Sequence, residues 1–198
     1  MTRLVLASGS RIRATLLENA GLIFDRIPAN VDERQIEEPL LSTGVDPETI
    51  AAKLSVAKAK EVSTRNHGAY VIGADQILAF EGKRLVKPED LTAARKQLES
   101  FSGKSHALHS AACVVKDGEV VWEGISTATL QVRELSSDFL DWYIDQTGSE
   151  ILSSVGAYQL EAEGIQLFEK IEGDYFTVLG LPLLPLLSFL REIEVLNK

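Results

Sequence analysis

An apolar strand that runs through a short serine-glycine loop into a helix is the feature that most limits the fold of this chain. The strand covers residues 4–7, the loop is Ser8-Gly9-Ser10, and the helix begins at Arg11 with Ser10 as its N-cap. Such a unit is typical of α/β folds. The free N–H groups and positive dipole end of the helix attract anions, and Arg11 and Arg13 add charge that a phosphate would neutralise. A capped surface helix with two solvated arginines is the alternative.

Length and composition fit one folded domain over residues 1–198. Hydrophobic residues make up 45% of the 198 residues, enough to bury a substantial core. The net charge of −9 argues against a nucleic-acid surface, which needs a basic face. No apolar run is long enough to span a bilayer, and the first residues lack a signal-peptide pattern. We therefore expect a cytoplasmic protein that binds neither nucleic acid nor a membrane, with its single cysteine, Cys113, buried in a strand.

Turn and capping signals divide the rest of the chain into strands and helices. We expect strands at residues 24–29 and 69–74, a hairpin turning at 81–83, and a long hairpin of residues 104–116 and 119–132. Helices are expected over residues 46–63, 91–101, 136–148 and 184–196. The glycine-punctuated residues 155–175 favour short strands and tight turns. Because βα units and hairpins coexist, the prediction is an α/β fold with a mixed twisted sheet flanked by helices.

Several common catalytic motifs are absent from the sequence. Gly103-Lys104-Ser105 resembles the end of a phosphate loop, but residue 98 is leucine where that loop needs glycine, and the segment follows a helix instead of a strand. There is no G-x-G-x-x-G, G-x-S-x-G or H-E-x-x-H sequence. His67, His106 and His109 do not have metal-ligand spacing. Dinucleotide binding, serine-esterase chemistry and zinc proteolysis are therefore disfavoured.

The remaining candidates for chemistry are acids and cations near the ends of predicted elements. Asp75 follows the strand at residues 69–74, Glu33 follows the strand at residues 24–29, and the cations are Arg13, Lys58 and Lys87. Breaking a phosphoanhydride needs carboxylates for Mg²⁺ and cations for phosphate oxygens, which this set supplies. Asp75 then holds the metal or takes a proton from the attacking water, unless it only caps the strand. The alternative for Glu33 is an ordinary solvated acid. The alternative for Lys58 is a lysine that snorkels to solvent beside an apolar helix stripe.

The same residues carry a resemblance to the Maf family of nucleoside triphosphate pyrophosphatases, over nearly the whole chain. The matching segments agree with the family in number, order and spacing. They are Leu6-Ala7-Ser8-Gly9-Ser10 with Arg13, Val31-Asp32-Glu33, Ala57-Lys58-Ala59, Gly73-Ala74-Asp75, Lys87-Pro88, Ser102-Gly103 with His106, Gly156-Ala157-Tyr158, Ile171-Glu172-Gly173-Asp174-Tyr175 and Gly180-Leu181-Pro182-Leu183.

The resemblance implies a cytoplasmic housecleaning enzyme with a nucleotide-binding cleft in a mixed α/β fold similar to that of inosine triphosphate pyrophosphatases. It implies a divalent cation, Mg²⁺ or Mn²⁺, a nucleoside triphosphate substrate cut between its α and β phosphates, and a homodimer. Carried over by position, Asp75 is the general base or a metal-bound acid, and Glu33 holds the metal or positions water. The residues that contact phosphate are then Ser8, Arg13, Lys58 and Lys87.

Three further positions bear on the choice of base. Gln76 and Glu161 are similar to the family branch that hydrolyses 7-methyl-GTP, whereas the branch acting on dTTP and UTP usually has threonine and glutamine there. A carboxylate at Glu161 suits the N–H donors and positive charge of a methylated guanine. Ile12 stands where the 7-methyl-GTP branch tends to have tryptophan, so the base preference stays open between these substrates.

Two other functions compete with pyrophosphate release. A nucleotide-sensing regulator of cell division would bind nucleotide at the same anion site without turnover. A phosphomonoester hydrolase would release orthophosphate in place of pyrophosphate. The presence of both Glu33 and Asp75 favours catalysis over sensing.

Overall fold

In the computed structural model, residues 3–197 are described, and within them the chain forms a mixed sheet of seven strands with seven α-helices. The strands are β1 Leu4–Leu6, β2 Asp25–Arg26, β3 Tyr70–Phe80, β4 Lys83–Leu85, β5 Ser105–Lys116, β6 Glu119–Val132 and β7 Phe168–Glu172. The helices are α1 Arg11–Asn19, α2 Glu33–Ser42, α3 Pro47–Ser63, α4 Leu91–Phe101, α5 Ser137–Thr147, α6 Tyr175–Val178 and α7 Leu183–Glu192. Two 3₁₀ helices cover Gly148–Ser153 and Glu163–Leu167.

The sheet has the strand order β2-β1-β3-β5-β6-β7, and β4 pairs with β3 off this path. Strand β1 is parallel to both β2 and β3, while β4 is antiparallel to β3 and β7 is antiparallel to β6. The expected mixed α/β fold is therefore confirmed. None of the helices in the described range is long and apolar enough to cross a membrane.

The described chain divides into two compact units. The first contains the residues up to Gln76, the segment His109–Ser126 and the residues from Tyr175 onward, and the second contains Ile77–Leu108 and Thr127–Asp174.

In the first unit, helix α3 packs closely on the sheet. Ala59 and Val62 of α3 belong to one buried cluster with Val5 of β1, Val71 of β3 and Cys113 of β5. Gly73 permits this approach, because a β-carbon there would overlap the Ser55 carbonyl oxygen and lie 2.8 Å from the β-carbon of Ala59. Cys113 is fully buried as expected, and desolvation raises the pKa of its thiol to about 12.

The second unit has an aromatic core around a buried histidine. The ring of His106 stacks on Phe101 with centroids 4.6 Å apart, and its Nε2 lies 2.6 Å from the hydroxyl of Tyr158. Phe168 packs edge-on against Tyr158. Desolvation lowers the pKa of His106 to about 4, so the ring is neutral at pH 7 in the folded protein.

Many helix starts fall where the sequence places them. The side chains of Ser10, Asp46 and Ser136 accept hydrogen bonds from Arg13 N, Thr49 N and Phe139 N, which makes them the N-caps of α1, α3 and α5. These bonds satisfy N–H groups that have no partner inside a helix. The long hairpin of β5 and β6 and the turn between β3 and β4 are also as expected.

Other boundaries differ from the predictions. The expected strand at 24–29 is reduced to Asp25–Arg26, and the terminal helix ends at Glu192. Helix α2, which has Asp32 as its N-cap and contains Pro39, was not expected from the sequence. Residues 155–175 contain the expected turns and one short strand, β7, but also the 3₁₀ helix Glu163–Leu167, which was not expected.

The position of Asp75 in its strand is a further correction. The sequence predicted that the strand ends at residue 74 and presents Asp75 at its end, but β3 runs on to Phe80. The apolar residues 77–80 continue the strand into its pairing with β4. Parallel pairing of β1 with β3 extends only from Tyr70 to Ile72, so Asp75 lies in β3 just beyond the last residue paired with β1.

Candidate active site

The loop after β1 brings Ser8 and Arg13 together. The Ser8 hydroxyl accepts from the main-chain N–H of Ser10 at 3.2 Å and from Nη1 of Arg13 at 3.4 Å. Arg13 turns inward from α1, and its Nη1 also donates to the carbonyl of Ala74 at 2.8 Å. Its Nε donates to the carbonyl of Gly180 at 2.8 Å. The guanidinium is thus fixed by main-chain atoms of β3 and of the turn after α6, and the picture of two solvated arginines is wrong for Arg13.

A second cation, Lys58, lies between two carboxylates. Its ammonium contacts Oδ1 of Asp75 and lies 2.9 Å from Oε1 of Glu33. Only 13% of the Lys58 side chain is exposed, so the alternative of a snorkelling lysine is wrong. Asp75 is almost as buried, at 10%, while 45% of the Glu33 side chain is exposed. Glu33 therefore marks the side on which solvent reaches this group.

Arg13 shares the electrostatic environment of this pair of carboxylates. Desolvation lowers the pKa of the Arg13 guanidinium below its usual range, and the charges of Asp75 and Glu33 oppose that shift. A guanidinium stays protonated even so, because its ordinary pKa is far above neutrality. The first unit of this acidic protein therefore brings together two of the cations and both of the carboxylates that were candidates from the sequence. They are Arg13, Lys58, Glu33 and Asp75.

Gln76 follows Asp75 in β3 and forms a separate set of contacts. Its Nε2 lies 3.0 Å from the hydroxyl of Ser110 and 3.0 Å from each of the carbonyl oxygens of Thr177 and Val178. The side chain thereby links β3 and β5 to the end of α6. Ile12 lies in the first turn of α1 beside Arg13 and is partly buried.

The two remaining predicted site residues belong to the second unit. Lys87 is exposed in the segment between β4 and α4, and Glu161 is exposed just before the second 3₁₀ helix. Their participation in the site stays a prediction.

The carboxylate pair suits a divalent cation bound together with substrate. Within residues 3–197 no group of three histidine, cysteine or acidic side chains could form a metal site by itself. Mg²⁺, however, is often held by one or two carboxylates, with phosphate oxygens and water completing its shell. Glu33 and Asp75 already converge on one positive charge, the ammonium of Lys58. The donor chemistry of these residues therefore fits Mg²⁺ or Mn²⁺ accompanied by a polyphosphate.

Sequence reasoning missed residues that shape the site through the main chain. Arg26 of β2 donates from Nε to the carbonyl of Ser8 at 3.3 Å, and its Nη2 contacts the carbonyl of Gly9. The carbonyls of Ala74 and Gly180 hold Arg13. Carbonyl acceptors have no side-chain signature, and the sequence indicated only that Arg26 lies in the predicted strand at residues 24–29.

The site combines a loop at a helix start, an inward-turned arginine and a lysine between two carboxylates on a mixed α/β sheet. These features are typical of the class of α/β proteins that bind phosphate groups. The chain belongs to the Maf family, because the family model described as Maf-like protein matches residues 3–193. The resemblance seen in the sequence is thereby confirmed.

Individual relatives cover nearly the whole chain. It is 49% identical to a 7-methyl-GTP pyrophosphatase of Rhizobium etli and 51% identical to one of Brucella suis, in both cases over 98% of this chain and 98% of the relative. It is 48% identical to a nucleoside triphosphate pyrophosphatase of Nitrobacter hamburgensis, over 98% of this chain and 95% of the relative. A solved structure of a HAM1 protein from Coxiella burnetii aligns with a TM-score of 0.39 and 15% identity, covering 67% of this chain and 73% of that chain.

Proposed function

We propose that this protein is a nucleoside triphosphate pyrophosphatase, which hydrolyses the bond between the α and β phosphates and releases a nucleoside monophosphate and pyrophosphate. The observation that carries this proposal is the mostly buried ammonium of Lys58, which lies between the carboxylates of Asp75 and Glu33. The charges of both carboxylates also act on the guanidinium of Arg13. Phosphoanhydride hydrolysis needs positioning and neutralisation of charge more than covalent help, and this group supplies both. Relatives about half identical in sequence carry the names of such enzymes.

In the proposed mechanism, the cations of the site bind the phosphates, and the carboxylates hold the metal and activate water. Arg13, Lys58 and Lys87 bind oxygens of the triphosphate, and the Ser8 hydroxyl donates to one of them. Glu33 and Asp75 would hold a divalent cation, which would neutralise charge on the phosphates. Asp75 has its Oδ1 on Lys58, so Oδ2 is the oxygen that accepts a proton from the attacking water.

For the substrate, we propose 7-methyl-GTP. Glu161 is the residue that reads the base: its carboxylate accepts from N–H donors of guanine and complements the positive charge of the methylated ring. Two of the relatives are named for this substrate, while another is named only as a nucleoside triphosphate pyrophosphatase. Ile12 offers an apolar surface beside Arg13 in place of an aromatic one. We also propose a homodimer, which sedimentation of the purified chain tests.

A substrate panel tests the reaction and the base together. The purified protein is incubated with Mg²⁺ and 7-methyl-GTP, GTP, UTP or dTTP, and pyrophosphate and orthophosphate are measured separately. We expect pyrophosphate as the product, the highest kcat/KM for 7-methyl-GTP, loss of activity on chelation and recovery with Mg²⁺ or Mn²⁺. Orthophosphate as the first product would support a phosphomonoester hydrolase, and saturable binding without any release would support a nucleotide sensor.

A further inference from the structure

The charges around Lys58 cancel within the chain itself. Asp75 and Glu33 carry two negative charges, and Lys58 and Arg13 carry two positive charges. The side chains of Lys58 and Asp75 are mostly withdrawn from water, so each of these charges needs a partner close by. The ammonium of Lys58 is the partner that both carboxylates contact. The two carboxylates that suit a divalent cation are therefore already neutralised by a side chain of this protein.

The two cations of the site differ in their freedom to move. The guanidinium of Arg13 donates to the main-chain carbonyls of Ala74 and Gly180, each at 2.8 Å, and is fixed by them. The ammonium of Lys58 has only the two carboxylates as ion-pair or hydrogen-bond partners among all residues that the structure describes. A lysine carries a compact charge on a flexible four-carbon stem. Lys58 can therefore leave the carboxylates without breaking any other polar contact, whereas Arg13 cannot move without losing its carbonyl partners.

We propose that the ammonium of Lys58 is an internal competitor of the divalent cation: it occupies the carboxylates of Asp75 and Glu33, and it releases them when the phosphates of the substrate attract it. This inference rests on the proposed function, in which Lys58 binds phosphate. It makes metal binding depend on nucleotide binding, so the two carboxylates bind a divalent cation weakly unless a polyphosphate is bound as well.

Elementary electrostatics gives this competition its direction. A second cation placed at the same carboxylates is repelled by the ammonium of Lys58, and the repulsion is stronger in a partly buried site than in water. An ammonium has three N–H donors, and Lys58 directs its charge at two carboxylates, so one donor is available for a phosphate oxygen. Coupling between two ligands is reciprocal, so a phosphate that attracts Lys58 raises the affinity for metal.

Binding of Mn²⁺ in the absence of nucleotide tests the competition without any reference to activity. Free Mn²⁺ is measured by its electron paramagnetic resonance signal during titration of the wild type and of Lys58→Met, which removes the charge and keeps the length of the side chain. We expect Lys58→Met to bind Mn²⁺ about 10-fold or more tightly than the wild type, because the repelling charge is gone. If Lys58 only binds phosphate, the two affinities are equal. An affinity of Lys58→Met that equals or falls below that of the wild type would overturn the inference.

Two further variants show whether the gain in affinity belongs to this site. Lys53→Met removes an exposed lysine of the same helix and changes the net charge of the protein by the same amount, so it should bind Mn²⁺ as the wild type does. Adding Asp75→Asn to Lys58→Met removes one of the two carboxylates and should abolish the gain. A similar gain in Lys53→Met, or a gain that survives Asp75→Asn, would contradict competition at these carboxylates.

Inorganic phosphate tests the release of the carboxylates. With a protein-free blank to correct for the complex of Mn²⁺ with phosphate, we expect added phosphate to raise the Mn²⁺ affinity of the wild type about 5-fold or more. The same addition should leave Lys58→Met unchanged, and a wild type that does not respond would contradict the release. If Lys58→Met does not fold, Lys58→Gln removes the charge but keeps a hydrogen-bond donor, and the same titrations decide. Failure of the wild type to release pyrophosphate would refute the proposed function alone, because the Mn²⁺ titrations still test the role of Lys58.

Discussion

The ammonium of Lys58 lies 2.9 Å from Oε1 of Glu33 and also contacts Oδ1 of Asp75. One cation of α3 therefore connects a carboxylate at the start of α2 with a carboxylate in β3. Since Asp75 is nearly buried and Glu33 is half-exposed, a polyphosphate that reaches this group arrives on the side of Glu33.

Removing the charge of Lys58 should lower activity while the same change nearby does not. Lys58→Met leaves Asp75 and Glu33 without their shared cation and removes a proposed phosphate ligand. We expect kcat/KM for the nucleotide to fall about 100-fold or more, the range seen when a preorganised group in an active site is lost. Lys53→Met changes an exposed lysine of the same helix and is the control. Equal activity of the two variants in a pyrophosphate assay would refute the role of Lys58.

Arg26 should matter for phosphate binding although it is exposed. It donates to the carbonyls of Ser8 and Gly9. Because the N–H and C=O of one peptide group point in opposite directions, the N–H groups of these two peptides point away from Arg26. We expect Arg26→Ala to weaken tripolyphosphate binding about 3- to 10-fold, the value of one hydrogen bond of about 1 kcal/mol. Arg3→Ala, which removes an exposed arginine paired with Asp25, should leave this binding unchanged. If calorimetric titration gave the same tripolyphosphate affinity for both variants, the role of Arg26 in phosphate binding would be contradicted.

The sequence predicted those parts of the fold that local chemistry determines. Ser10 and Asp46 cap helices because their oxygens accept from N–H groups only a few residues away, and Asp117-Gly118 turns the long hairpin for a similarly local reason. Helix α2 was not predicted because Pro39 and several acids obscure its pattern.

The parts of the site that could not be predicted depend on contacts between distant segments. The Gly180 carbonyl meets Arg13 across 167 positions of sequence, and main-chain acceptors leave no side-chain pattern to read. Lys58 on its own has the pattern of a snorkelling lysine, and only the placement of β3 and α2 around it reveals two carboxylate partners. The hairpin turning at residues 81–83 was expected, but not that Asp75 and Gln76 join its first strand to the preceding apolar strand as one continuous β3.

Close packing at Gly73 should make this position intolerant of a side chain. A β-carbon there would overlap the Ser55 carbonyl and crowd Ala59, both on α3. We expect Gly73→Ala to lower the free energy of unfolding by about 1–3 kcal/mol, as overpacking of a core does. Gly9→Ala is the stability control, because no atom lies within 4 Å of the added β-carbon. If urea unfolding gave the same free energy of unfolding for Gly73→Ala and for the control, the close packing of α3 on β3 would be contradicted.

His106 should make stability depend on pH between about 4 and 6.5. Burial lowers its pKa to about 4, and only 3% of the residue is exposed. An unfolded histidine has a pKa near 6.5, so the unfolded chain binds more protons in this window and stability falls as the pH drops. We expect the free energy of unfolding in urea to fall by about 2–3 kcal/mol more for the wild type than for His106→Gln between pH 7 and pH 4.5.

The control for His106 is an exposed histidine outside the aromatic core. His67→Gln should retain the full wild-type difference between the two pH values. If His106→Gln also loses as much stability as the wild type, protonation of His106 does not account for the pH dependence.

The measurement that tests the central claim most directly is pyrophosphate release from 7-methyl-GTP by Asp75→Asn, beside the wild type and Asp25→Asn. Asparagine keeps the size of Asp75 but can neither hold a divalent cation as a carboxylate does nor accept a proton from water, and Asp25 is an exposed carboxylate paired with Arg3. We predict a fall in kcat of about 100-fold or more for Asp75→Asn and wild-type release for Asp25→Asn. Pyrophosphate release by Asp75→Asn at the wild-type rate would contradict the account.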